Sequence, residues 1–182
     1  MNKDELKACL KLDYERNIGT YSLAFRVRAF LSKNPAMARW RFLKAYRLSE
    51  YHTGILQMYY LRRKNKLGMK LGYEFLTGCK IGPGLQLCHR GPVIINGCAQ
   101  IGKCATMRGS CCIGNDGKTG AAPVIGDYVE FGYDCAVIGD IRVADHTWVA
   151  AGAVVTKDIL EPWTAVGGVP AKQIAITKQN QI

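Results

Sequence analysis

Three histidines occur among the 182 residues, and one of them, His89, stands in the run Leu87-Cys88-His89-Arg90-Gly91-Pro92. A neutral imidazole accepts a proton near neutral pH, so a histidine has the chemistry of a general base. His52 lies in a stretch of helical character and reads as structural. His146, in Val143-Ala144-Asp145-His146, reads as a solvated corner residue. The spacing argues against metal chemistry, since His89 and His146 stand far apart in the chain and no Cys-x-x-Cys pair is present. A second polar stretch, Asn115-Asp116-Gly117-Lys118-Thr119-Gly120, has the composition of a loop excursion.

Both stretches interrupt a repeat, and the repeat is what must position them. From Ile95 a large apolar residue recurs at every sixth position: Ile101, Met107, Ile113, Ile125, Phe131, Val137, Val143, Val149 and Val155, with only the Thr119 slot failing. Four residues after each comes a mostly small one, among them Ala99, Ala105, Cys111, Cys135, Thr147 and Ala153. A helix repeats at about 3.6 residues and a strand at 2, so a strict six fits neither alone. It fits a solenoid in which each hexapeptide makes one short strand and one corner, three of them closing an 18-residue coil. Leu87 to Ile95 is a step of eight rather than six, which predicts two extra residues bulging near His89. Departures from a repeat are where function is grafted.

The strings "IGKCAT", "IGDYVE", "VAAGAV" and "GGVPAKQI" resemble the left-handed β-helix hexapeptide-repeat acyltransferases over residues 73–176. "GCKIGPGLQLCHRGPVIINGCAQIG" and the Gly/Lys loop "IGNDGKTGAAPVIGD" are most similar to the serine O-acetyltransferase branch, which includes capsule and exopolysaccharide O-acetyltransferases. The resemblance implies a mainly β, left-handed parallel β-helix, a homotrimer with active sites between neighbouring prisms, and acetyl-CoA as donor without a metal. It implies catalysis by His89, with Glu74 in the place of the aspartate that orients the histidine. The separation of the two is close to one coil, so Glu74 is expected about one strand spacing below His89 and near the same edge. It further implies an oxyanion site at the backbone of Gly114 and Asn115, where Asn115 departs from the usual glycine, beside the loop carrying Lys118. Ala151, Gly152 and Gly168 match small positions of the coenzyme groove, and Lys157 and Lys172 are the cations expected to meet its phosphates.

The serine enzymes hold the substrate's charged groups with an aspartate before the histidine and an Arg-His pair after the loop. Here those positions are Cys88 and the uncharged Gly120-Ala121-Ala122-Pro123. The expected acceptor is therefore a sugar hydroxyl, lipid-linked in one form, in surface polysaccharide assembly. Serine in cysteine biosynthesis is the alternative, and a non-enzymatic trimeric scaffold is a third reading.

Residues 1–72 carry 16 Lys/Arg against 5 Asp/Glu, while the rest carry 9 against 9, so the whole net charge of +11 sits on the N-terminal segment. Helices are expected over residues 3–16, capped by Asn2, over about 20–32, from Pro35 to about Leu48, and from Tyr51 to Lys66. This unit (1–72) precedes the β-helix (73–176) and a tail (177–182). It reads as a cap on the solenoid with solvated arginines and, compatibly, as a surface for the anionic inner face of a membrane. No zinc module or reading helix accompanies the charge, which argues against nucleic acid. No apolar run approaches the length of a membrane span, and MNKDELKACL lacks a signal-peptide core, so the expected location is the cytoplasm, peripheral to the membrane at most. The eight cysteines then read as reduced thiols, with Cys111 and Cys135 filling small inward slots.

Overall fold

All ten members of the six-residue series are buried, from Ile95 at 0% exposure to Ile101 at 4%. The structure, a computed structural model, describes residues 2–20, 22–24, 27 and 34–176. The chain divides into two units, Met1–Tyr73 and Glu74–Ile182.

The first unit contains α1 (Lys3–Asn17), α2 (Pro35–Tyr51) and α3 (Gly54–Leu71). Asn2 and Glu5 start α1 with a capping box: Asn2 Oδ1 accepts from the Asp4 and Glu5 N–H groups at 2.9 Å, and the Asn2 N–H donates to Glu5 Oε2 at 2.8 Å. Pro35 opens α2, with Asn34 Oδ1 accepting from the Ala36 N–H at 2.9 Å. The helix expected over 20–32 falls largely outside the described residues. α3 starts at Gly54 and runs to Leu71, later at both ends than the expected Tyr51 and Lys66. Gly68 is a packing glycine: a Cβ there would collide with the Tyr73 carbonyl oxygen and lie 3.3 Å from the Phe42 ring. Gly72, at φ +82, is the residue that ends the helix.

Tyr14, Met37 and Trp40 form one buried cluster of the helical unit, the Tyr14 and Trp40 rings meeting edge-on at 5.1 Å. The expectation of solvated arginines fails at Arg47, which is 4% exposed and donates from Nε to Asp13 Oδ2 at 2.8 Å and from Nη2 to Asp13 Oδ1 at 3.2 Å. Burial opposes the guanidinium charge, but the fully buried Asp13 carboxylate more than offsets it and holds Arg47 above its ordinary pKa. Next to this pair, burial pushes the Cys9 thiol up to about 11, with Arg47 pulling the other way. At pH 8 about one such thiol in a thousand is a thiolate. Iodoacetamide at that pH is expected to alkylate exposed Cys98 at least tenfold faster than Cys9, read by peptide mass spectrometry on the native protein. Equal rates would mean that the helical unit opens readily.

The second unit is a parallel β-solenoid. Its strands fall in turn on three sheets. Sheet A contains β1 (Tyr73–Phe75), β4 (Val93–Ile95), β7 (Cys111–Gly114), β10 (Ala136–Ile138) and β13 (Val154–Val155). Sheet B contains β2 (Lys80–Ile81), β5 (Gln100–Ile101), β8 (Val124–Ile125) and β11 (Arg142–Val143). Sheet C contains β3 (Gln86–Leu87), β6 (Thr106–Met107), β9 (Glu130–Phe131), β12 (Trp148–Val149), β14 (Thr164–Gly167) and, antiparallel, β15 (Lys172–Ile176). Regular coils pair at a separation of 18, as Val124 does with Arg142 and Glu130 with Trp148. Coils that enclose the His89 bulge pair at 20, as Lys80 with Gln100, and those enclosing the 115–120 loop pair at 24, as Gln100 with Val124. The two extra residues and the omitted hexad are thus expelled from the ladder, and the core series stays in phase. Inside, Cys135 Sγ lies 3.8 Å from Cys111 Sγ, and both thiols are buried.

Candidate active site

The loop between β3 and β4 carries His89, exposed, at the corner that joins sheet C to sheet A. The register stacks this corner into a column: Leu87 pairs with Met107 and Met107 with Phe131, so His89, Gly109 and Tyr133 follow one another up the solenoid, and Ala151 comes next. Gly109 has φ +140, and a Cβ on it would stand 3.5 Å from His89 Cβ and 2.9 Å from Tyr133 Cε2. Only glycine leaves room for the histidine and the tyrosine to approach from either side. The sequence reading missed Tyr133, 51% exposed. Its signal lies in the longer spacing of the two interrupted coils, which places it above His89.

Cys88 heads a neighbouring column with Arg108. Arg108 Nη2 donates to Glu130 Oε2 at 2.7 Å, and that hydrogen bond and charge raise its pKa, with Cys88 a smaller contributor. A charged pair therefore lies beside the position where the sequence offered only an uncharged cysteine.

Glu74 is exposed on β1. The Leu76 N–H donates to the Ile95 carbonyl at 3.0 Å, which sets Phe75 beside Ile95 and Glu74 beside Ile94. Glu74 is thus the strand neighbour of Ile94, and not of His89 as the sequence separation suggested. The coil between them includes the two bulge residues, which moves the carboxylate along sheet A.

Gly114 ends β7, pairs with Ile138 and accepts at its carbonyl from the Gly139 N–H at 3.0 Å, so it belongs to the ladder. Asn115 follows, half-buried, where the loop departs. The loop closes on Asp116, whose carboxylate accepts from the Lys118 N–H at 2.9 Å and the Thr119 N–H at 3.4 Å, and these backbone hydrogen bonds lower its pKa. Lys118 itself is exposed.

Ala151 and Gly152 lie exposed on the His89 corner, and the Gly168 carbonyl accepts from the Val154 N–H at 3.0 Å above them. Gly152, at φ +68, has open space where a Cβ would be, so beside the Ala151 methyl this strip carries little side chain. Lys157 lines a recess of 240 Å³ together with Asp158 and Glu161, a poor setting for a phosphate. Lys172 is exposed on β15.

One solenoid therefore does not gather all the predicted residues. His89, Ala151, Gly152 and Gly168 border one edge of sheet A, and Gly114, Asn115, Lys118 and Lys157 border the other. The sheet between them is about 10 Å wide, for three residues at about 3.3 Å each. His146 also differs from expectation. It is sandwiched between Tyr128, with centroids 4.8 Å apart, and Trp163, at 3.8 Å, all three nearly parallel on the corner joining sheets B and C. Each of the three has a positive φ, because the corner column demands that conformation once per coil and so brings the rings into register. No group of three or more metal-ligating side chains occurs among the described residues.

These features define the protein class by fold: a left-handed parallel β-helix of hexapeptide repeats preceded by helices. The crystal structure of Neisseria gonorrhoeae serine acetyltransferase has a TM-score of 0.75 at 22% identity, covering 98% of this chain and 68% of that one. A serine acetyltransferase in complex with CoA has a TM-score of 0.70 at 16% identity, covering 94% and 70%. In sequence, serine acetyltransferase of Helicobacter pylori is 37% identical over 111 residues, 60% of this chain and 63% of that protein. Mitochondrial serine acetyltransferase 3 of Arabidopsis thaliana is 32% identical over 111 residues, again 60% of this chain but 28% of that protein. The chain spans less than two thirds of the length of these two sequence relatives. No family model matches it.

Proposed function

We propose that the protein is an acetyl-CoA-dependent O-acetyltransferase of the serine acetyltransferase type, with His89 as general base. The observation that carries this reading is the exposed histidine on the expelled loop of a hexapeptide β-helix, on the same corner column as Gly109, Tyr133 and Ala151. The donor supplies an acetyl group activated as a thioester. His89 takes the proton of the acceptor hydroxyl as its oxygen bonds to the carbonyl carbon, and returns a proton to the sulfur as the carbon–sulfur bond breaks. Glu74 keeps the role of imidazole partner only if a bound complex shifts one group along sheet A, and Asn115 is the remaining backbone donor for the oxyanion. The two edges of sheet A bear complementary halves of the site, which favours a homotrimer in which a neighbouring copy supplies the second half. Residues 73–176 form the transferase domain, and 1–72 an accessory helical domain.

Likeness to the serine acetyltransferases favours serine as the acceptor. The Arg108–Glu130 pair also supports it, since opposite charges beside the base can meet a carboxylate and an ammonium group. A sugar hydroxyl of surface polysaccharide assembly is the second reading, favoured by the lack of charge at Cys88 and at Gly120-Ala121-Ala122-Pro123. Thiol release from acetyl-CoA, measured with serine and a panel of sugars, nucleotide sugars and lipid-linked sugars, decides between them. Faster turnover with serine than with every carbohydrate is the expected result, and the reverse order would establish the sugar. Among the described residues no helix is long and apolar enough to cross a membrane. We place the enzyme in the cytoplasm, with any membrane contact made through residues 1–72.

A further inference from the structure

The helical unit holds a cavity of 510 Å³ that acetyl transfer does not use. Its volume falls in the range of about 300–1,000 Å³ common to small-molecule sites. Tyr14, Met37, Trp40 and Leu48 supply an aromatic and aliphatic floor. Leu23 and Val27, 76% and 50% exposed, stand at its apolar wall, where water is a poor neighbour. Among the described residues the lining includes three cations, Arg41, Lys44 and Arg63, and no carboxylate. Arg63 is set by a hydrogen bond to the Tyr59 hydroxyl at 3.4 Å, and Lys44 Nζ lies 5.2 Å above the Trp40 ring.

An apolar floor and a basic rim define the ligand chemically. We propose that this cavity binds a single-chain anionic amphiphile, its hydrocarbon between α1, α2 and α3 and its phosphate head among Arg41, Lys44 and Arg63. The apolar side chains take up the chain, and the cations select the charge of the head. The site is independent of the acetyl-transfer reading, since no residue of the His89 corner takes part in it.

Full-length protein titrated calorimetrically with dodecyl phosphate below its micelle concentration is expected to bind one molecule per chain. Dodecyl maltoside, neutral with the same chain, is expected to bind at least tenfold more weakly, and inorganic phosphate not measurably. Lys44→Glu and Arg63→Glu are each expected to weaken dodecyl phosphate at least tenfold with the circular dichroism unchanged. Bromine at the chain end should quench tryptophan fluorescence, and Trp40→Phe should remove that quenching although Trp148 and Trp163 remain. Phosphatidylcholine vesicles containing phosphatidylglycerol test the source: binding lost in Arg63→Glu would show that the cavity draws its lipid from a leaflet. Equal affinity for the neutral amphiphile, binding of inorganic phosphate as tight as of dodecyl phosphate, or quenching that survives Trp40→Phe would overturn the proposal. So would vesicle binding unaffected by both charge reversals in a protein that does not bind dodecyl phosphate.

Discussion

His89→Ala is expected to lower thiol release from acetyl-CoA by about 100- to 10,000-fold, the usual contribution of a positioned general base. The melting temperature and circular dichroism should stay at wild-type values, because His89 is exposed on a loop outside the hexad ladder. Exposed substitutions away from caps and networks ordinarily change stability by no more than about 0.5 kcal/mol. Glu74→Gln is expected to cost less, since it lies beside Ile94 rather than beside His89. Retention of near-wild-type turnover by His89→Ala would remove it from the base role. Loss of turnover together with a lowered melting point would instead make the residue structural.

Arg47→Ala is expected to destabilise the helical unit by about 3–5 kcal/mol, since it strands the Asp13 carboxylate without its countercharge at 0% exposure. Chemical denaturation followed by far-ultraviolet circular dichroism reads this directly. Asp13→Leu combined with Arg47→Met removes both charges at similar volume, and should recover most of the loss. A double variant as unstable as the single one would show that packing by the arginine stem, and not the stranded charge, sets the cost. The β-helix gives an internal reference, because neither residue belongs to Glu74–Ile182.

The order of these effects reflects where each residue could be read. Ile95 through Val155 repeat at six because successive coils impose the same inward position, so a one-dimensional pattern carries the three-dimensional axis. The missed Thr119 slot and the longer step before Ile95 announced the loop and the bulge, and the registers of 24 and 20 match them. Asn2 and Pro35 were legible because helix starts depend on close neighbours in the chain. Glu74 was misplaced by assuming a regular coil where the coil carries the bulge. Arg47 was misjudged because a lone arginine in a basic helix gives no sign that Asp13, in another helix, faces it.

By itself, then, the sequence determined the solenoid, its two interruptions, the starts of α1 and α2 and the histidine at the bulge, since each follows from a period or from local backbone chemistry. Tertiary structure alone decided that His89 and Tyr133 flank Gly109, that Arg108 and Glu130 bring charge beside Cys88, and that His146 lies between two rings. It also divided the predicted site between the two edges of sheet A. The physical reason is common to all of these. Side chains a whole coil apart in sequence meet only through the register of stacked coils, and that register changes with every residue the coil expels.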